Sequence, residues 1–276
     1  MRITTAQIQD MKRRGEKVAM LTAYDYSTAK ILDEAGIPLL LVGDSLGMVV
    51  LGYDSTIPVT MEEMLHHTRA VVRGSVEALV IGDMPFMTYH TSPADAIRNA
   101  ARFMQEGGAQ AVKLEGGVHM AETVRFIVER GIPVMGHIGL TPQSVHQLGG
   151  FRVVGKTREA AARLVKDAKA LEEAGAFAVV LETIPEPLAK LITEKIAIPT
   201  IGIGAGRYCD GQVQVVSDIL GSFTDFMPRH AKQYAKVADI VSEAAASYLE
   251  EVAKGEFPTT QHGSTMDEGI LAGLDD

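Results

Sequence analysis

The sequence is poor in several things that would narrow its function. It has one cysteine, Cys209, in 276 residues. An intramolecular disulfide is therefore impossible, which accords with a reducing compartment. No apolar run reaches the roughly 18 residues needed to cross a bilayer. The opening "MRITTAQIQDMKRRGEK" lacks the apolar centre of a signal peptide, so a cytoplasmic protein with no membrane partner is expected. Basic charge is also short: 26 Lys and Arg stand against 35 Asp and Glu, a formal net charge of −9. That balance argues against nucleic acid, whose binding needs clustered cations. No short-spaced Cys/His set suggests zinc, because His66 and His67 are adjacent and cannot both face one ion from one helix.

What is present fits a globular enzyme. Hydrophobic residues make up 46% and charged residues 22%. Short apolar runs alternate with longer amphipathic segments. The runs "KVAMLTAYD", "PLLLVGDS", "ALVIGDMPF", "AVKLEGG", "PVMGHIGL", "AVVLET", "PTIGIGAG" and "QVQVVSDIL" read as strands. Most do not alternate with polar residues, as expected of strands covered on both faces. Between them, "TMEEMLHHTRAVVRG" has Thr60 as N-cap, Glu63 completing a capping box and Gly74 as a stop. "TSPADAIRNAARFMQEGG" has Ser92 as cap and Pro93 in the first turn. "TREAAARLVKDAKALEEAGA" places Ala161, Leu164, Val165, Ala168 and Leu171 on one stripe before Gly175.

About eight such units predict an α/β fold, a (β/α)8 TIM barrel. A doubly wound open sheet is the alternative. Its phosphate-binding Gly-x-Gly-x-x-Gly is missing after the first strand, and the nearest glycine-rich run, Gly202 to Gly206, comes late. One domain is expected over residues 1–257, with a short N-terminal helix and a long C-terminal one, followed by a mobile tail at 258–276. In the C-terminal segment Tyr234, Val237, Val241, Ala245, Tyr248 and Val252 recur at helical spacing. They are expected to pack as the last barrel helix; a subunit contact is the other reading.

Barrel chemistry sits at the C-terminal strand ends. Asp44 and Ser45 follow the second strand, Asp83 ends the third, Lys113 and Glu115 lie on the fourth, His137 on the fifth and Glu182 on the sixth. Singly, each has a plain explanation as a turn residue, cap or satisfied core polar group. Together, several carboxylates at one mouth repel unless a cation or ligand offsets them. Oxygen ligands point to a hard ion such as Mg2+. Residues two apart on a strand share a face, so Lys113 and Glu115 both point into the barrel while Val112 and Leu114 face the helices. The segment "SLGMVVLGYDSTIPVT" after the second strand is a candidate lid.

These stretches resemble the ketopantoate hydroxymethyltransferase family. The resemblance rests on "TAYDYSTAK", "LVGDSLGM", "GYDST", "DMPF", "KLEGG", "GHIGLTPQS", "LETIP", "IPTIGIGAG" and "DGQ", in order from about residue 20 to about residue 220. It implies a barrel of the phosphoenolpyruvate mutase/isocitrate lyase type. It implies transfer of a hydroxymethyl group from 5,10-methylenetetrahydrofolate to 3-methyl-2-oxobutanoate, giving 2-dehydropantoate for pantothenate and coenzyme A synthesis. By the same resemblance, Mg2+ is associated with Asp44, Asp83 and Glu115. The ketoacid meets Asp44, Ser45, Asp83 and Lys113, and Glu182 accepts the proton. His137 is a further candidate for contact with the keto oxygen. Homodecamers with the C-terminal helix in subunit packing are also implied. Two other readings stay open: a lyase or mutase on the same barrel, with Cys209 as the only candidate acid, and a non-catalytic metabolite-binding barrel.

Overall fold

The computed structural model describes residues 1–274. Eight parallel strands close into a barrel in chain order: β1 (Val18–Thr22), β2 (Leu39–Val42), β3 (Leu79–Asp83), β4 (Ala111–Glu115), β5 (Val134–Gly139), β6 (Ala178–Glu182), β7 (Thr200–Ile203) and β8 (Gly211–Gln214), with β8 pairing back to β1. The open-sheet alternative is thereby set aside.

The two-residue strand period divides the core. On β3, Leu79 and Ile81 belong to the cluster inside the barrel and Val80 to the one under the helices. On β4, Ala111 points in while Val112 and Leu114 point out; on β6, Ala178 and Val180 point in while Val179 and Leu181 point out. Continuing the alternation by one step turns Asp83, Lys113, Glu115 and Glu182 inward at the C-terminal rim. Register then decides the neighbours: Asp83 lies opposite Lys113, and Glu115 opposite His137.

The other end is closed. The helix Thr5–Arg14 carries a Thr4/Gln7 capping box and buries Ile8 against the interior cluster. Lys12 Nζ donates to the carbonyls of Thr193, Ile196 and Ile198 at 2.9–3.0 Å and pairs with Asp210 at 2.9 Å. This one ammonium ties the plug to the strand entrances of β7 and β8.

The expected caps at Thr60, Glu63, Ser92 and Pro93 are all in place. Three expectations need correction. Gly74 does end the helix Met61–Gly74, but not through a left-handed cap; it also supplies room, because a Cβ there would lie 2.3 Å from the Tyr26 carbonyl oxygen. The run "QVQVVSDIL" is a strand only to Gln214, and Val216–Leu220 forms a helix. A continuous apolar run cannot separate these by periodicity alone.

The third correction concerns the end of the chain. The helix Val237–Lys254 forms but buries none of its residues, so it is not the last barrel helix. Tyr248 is 59% exposed and Leu249 70%. The short helix Val216–Leu220, with Val216, Ser217 and Asp218 buried, packs next to the closing strand instead. Beyond it, Phe257 packs on Tyr248 and His262 on Phe257, with ring centroids 5.6 and 4.9 Å apart. The rest of the described tail holds only short 3-10 turns at Thr260–His262 and Glu268–Leu271; positions 275 and 276 lie outside the described residues.

Candidate active site

All seven side chains singled out in the sequence line one cavity of about 710 Å³ at the C-terminal rim. Asp44, Asp83, Lys113, Glu115 and His137 are each at most 5% exposed. The Glu182 side chain keeps 16% of its surface open to the cavity mouth.

Lys113 and Glu115 do not pair with each other. Lys113 Nζ instead donates to both oxygens of Asp83, at 2.7 and 2.8 Å. Asp83 Oδ2 also accepts the backbone N–H of Asp44 at 3.3 Å. Ser45 Oγ shares a hydrogen bond of 2.9 Å with the buried Tyr24 hydroxyl. His137 stands between two carboxylates, Nδ1 3.5 Å from Glu115 Oε1 and Nε2 3.1 Å from Glu182 Oε2. Neither ring nitrogen is aligned for a hydrogen bond, and Glu115 Oε1 has no partner.

Four carboxylates thus line one cavity with a single lysine. Burial, reinforced by the charge of Asp83, pushes Asp44 up to about 7. Burial raises Glu115 well above the usual carboxylate range, with Lys113 opposing. Burial works against the Lys113 ammonium, but Asp83, Glu115 and Asp44 outweigh it and hold the charge more firmly than usual. Burial and the Lys113 charge lower His137, which keeps its imidazole neutral. The protein alone therefore leaves excess negative charge to be met by protons or a cation.

The donor set fits a hard divalent ion. Hard oxygens come from β3, β4 and the turn after β2, and one of them, Glu115 Oε1, is buried without a partner. Among the described residues, no three His, Cys, Asp or Glu side chains converge closely enough to hold an ion by themselves. A Mg2+ ion here would need water and substrate oxygens to complete its octahedron.

The backbone around Glu182 is tightly specified. Its carbonyl accepts from Leu140 N at 2.9 Å, and the next residue, Thr183, has a φ of +49°. A β-branched residue in that region costs on the order of 1–3 kcal/mol. Across the strand pair, Gly139 has a φ of +101°, and a Cβ there would lie 2.2 Å from the Glu182 carbonyl oxygen.

Sequence reasoning missed several lining or supporting residues. Gln143 lies within "GHIGLTPQS" and Tyr89 just after "DMPF", yet neither an amide nor a phenol in a loop carries a periodic signal. Asp218, which burial pushes up to about 6, and His230 also line the cavity. The segment after β2 contributes Met48, Val49, Gly52 and Tyr53 to its wall.

Comparison with known proteins gives a family and a fold. A family model described as ketopantoate hydroxymethyltransferase matches residues 2–260. A protein of Dehalococcoides mccartyi named 3-methyl-2-oxobutanoate hydroxymethyltransferase is 67% identical over 274 residues, covering 99% of this chain and 97% of the relative. Proteins of the same name from Chloroflexus aurantiacus and Clostridium botulinum are 61% and 56% identical, covering 99% and 98% of this chain and 96% and 98% of their own. Among solved structures, 2,3-dimethylmalate lyase, a phosphoenolpyruvate mutase/isocitrate lyase superfamily member, superposes with a TM-score of 0.59 at 17% identity, covering 100% of this chain and 96% of that one. Phosphoenolpyruvate phosphomutase from Streptomyces platensis gives 0.59 at 15% identity, covering 99% and 96%. At such identities the likeness is one of fold.

Proposed function

The chain belongs to the ketopantoate hydroxymethyltransferase family, and from that premise we propose how its rim residues carry the reaction. It transfers a hydroxymethyl group to 3-methyl-2-oxobutanoate, giving ketopantoate. The proposed donor is 5,10-methylenetetrahydrofolate and the proposed metal Mg2+, associated with Asp44, Asp83 and Glu115 directly or through water. The observation that carries this reading is the buried carboxylate excess, with Glu115 Oε1 unpartnered, facing a more open Glu182 across the cavity.

Bound at these carboxylates, Mg2+ would supply positive charge where the keto oxygen becomes an enolate oxygen. Everything else falls to the chain. Lys113 neutralises the substrate carboxylate, and Ser45 Oγ, oriented by Tyr24, donates to the same group. His137, neutral and near the floor, donates to the keto oxygen. Glu182 takes the proton from C3, a role suited to a carboxylate on a separate strand within reach of the mouth. The two C–N bonds of the donor's one-carbon unit break, the electron pair left on C3 forms the new carbon–carbon bond to that carbon, and water supplies its hydroxyl. The remaining water proton and the proton taken from C3 end on the two nitrogens of the departing tetrahydrofolate. The wall formed by residues 46–56 closes as a lid over the enolate.

The unburied helix Val237–Lys254 supports subunit packing, in a decamer by family resemblance: Ile240, Val241, Tyr248, Leu249 and Val252 stay 45–70% exposed in one chain. No helix of the described residues is long and apolar enough to cross a membrane; the proposed location is the cytoplasm.

The reading is tested without the donor. In deuterated water the enzyme with Mg2+ should exchange the C3 proton of 3-methyl-2-oxobutanoate, followed by NMR. Glu182→Gln should abolish exchange and leave ketoacid binding largely intact. Exchange that survives in the variant removes Glu182 as the base; no exchange in the parent enzyme removes the enolate.

A further inference from the structure

Gln143 touches four different parts of the rim. It sits in the 3-10 turn Pro142–Ser144 after β5 and is 2% exposed. Its side-chain Nε2 donates to Asp44 Oδ2 at 2.8 Å and to the Met84 carbonyl at 2.9 Å. Its Oε1 accepts from the Tyr89 hydroxyl at 2.6 Å. Its backbone N–H donates to Glu115 Oε2 at 3.2 Å, and the Tyr89 oxygen accepts from the Glu115 backbone N–H at 3.1 Å. The amide orientation is not arbitrary: a carbonyl such as Met84 can only accept, so the atom beside it must be the NH2.

The result is a closed ring, Gln143–Tyr89–Glu115 and back to Gln143, with Asp44 held by the Gln143 amide. Asp44 and Glu115 come from different strand ends, yet one oxygen of each is tied to Gln143: Asp44 Oδ2 through the side-chain amide and Glu115 Oε2 through the backbone N–H. For Glu115 the other oxygen, Oε1, is the one left unpartnered. A buried network that satisfies every donor of its hub holds one geometry.

We infer that Gln143, braced by Tyr89, is a positioning residue that fixes which oxygens of Asp44 and Glu115 are presented to the metal and ketoacid. It touches no reacting atom and acts through the two carboxylates. The inference rests on the metal reading of those carboxylates given above.

The test is metal binding measured directly, in addition to turnover. Gln143→Met keeps the volume, removes the side-chain bonds to Asp44, Met84 and Tyr89, and leaves the backbone N–H on Glu115 Oε2, so it tests the hold on Asp44 and the Tyr89 brace. Mn2+, titrated into metal-free protein and followed by electron paramagnetic resonance, should bind at least about tenfold more weakly to the variant, the usual effect of removing a group that orients metal ligands. At saturating Mn2+ the C3 exchange rate should fall more than KM for the ketoacid rises. Unchanged Mn2+ affinity and exchange, alongside a lowered Tm, would make Gln143 a mere strut and overturn the inference. Should Gln143→Met fail to fold, Tyr89→Phe keeps the ring packing and frees the Gln143 amide. It should weaken Mn2+ binding by a smaller factor, and parent-like affinity there overturns the inference equally. A parent enzyme that neither binds Mn2+ nor exchanges the proton sinks the functional reading and this inference together. A normal parent with indifferent variants sinks this one alone.

Discussion

Replacing Asp44 by Asn should stabilise the metal-free protein while disabling it. The Asp44 carboxyl is pushed from its ordinary 3.8 up to about 7, by burial first and by the charge of Asp83 second. A carboxyl raised in the folded state contributes stability that is fully present below the unfolded value and lost as pH rises through the folded one. In metal-free protein the loss therefore begins near pH 3.8 and is complete just above about pH 7. At 1.36 kcal/mol per pH unit the whole gap corresponds to about 4 kcal/mol. The substituted amide never ionises. Its oxygen can still accept from Gln143 Nε2, and its NH2 can donate to Asp83, so the variant escapes this loss. Urea unfolding in EDTA should show a stability advantage of Asp44→Asn that widens by about 2 kcal/mol between about pH 5 and pH 7, then levels off near about pH 8. Mg2+ should narrow the difference, because it binds only where Asp44 can ionise. A site at 100-fold its dissociation constant gains about 2.7 kcal/mol. A variant less stable than the parent at about pH 8 in EDTA, or an advantage that does not change with pH, would refute the electrostatic account.

Further outcomes follow from the packing. Gly139→Ala should cut C3 exchange severely and lower Tm, because its Cβ would lie 2.2 Å from the Glu182 carbonyl oxygen at a φ of +101°; thermal unfolding and proton exchange measure both, and a parent-like rate would show that the base tolerates displacement. Leu249→Asp, on a helix face 70% exposed at that position, should leave the barrel folded and reduce the assembly to smaller species in light scattering coupled to gel filtration. An unchanged mass would show that this face is not between subunits.

The rim was readable in the sequence because a strand has a strict period of two. Once Leu79, Ala111 and Ala178 face the barrel interior, Asp83, Lys113, Glu115 and Glu182 have no other place to point. The partner of Lys113 was not readable. It depends on inter-strand register, which sets Asp83 beside it and leaves Glu115 next to His137. Gln143 was hidden because its value lies in contacts with residues 99, 59, 54 and 28 positions away. The stripe on Val237–Lys254 was readable as a stripe, but amphipathicity says that a face is apolar and not what covers it.

The plugged barrel has a kinetic consequence. With the helix Thr5–Arg14 sealing the far end and side chains filling the interior, everything that reacts must use one doorway. On the proposed function, the ketoacid would occupy the carboxylate floor and the bulkier donor the mouth above it. The small substrate would then go in first. The new product would form underneath the spent donor and wait for that donor to leave. A closed floor thus becomes a queue, in which the last molecule in is the first one out.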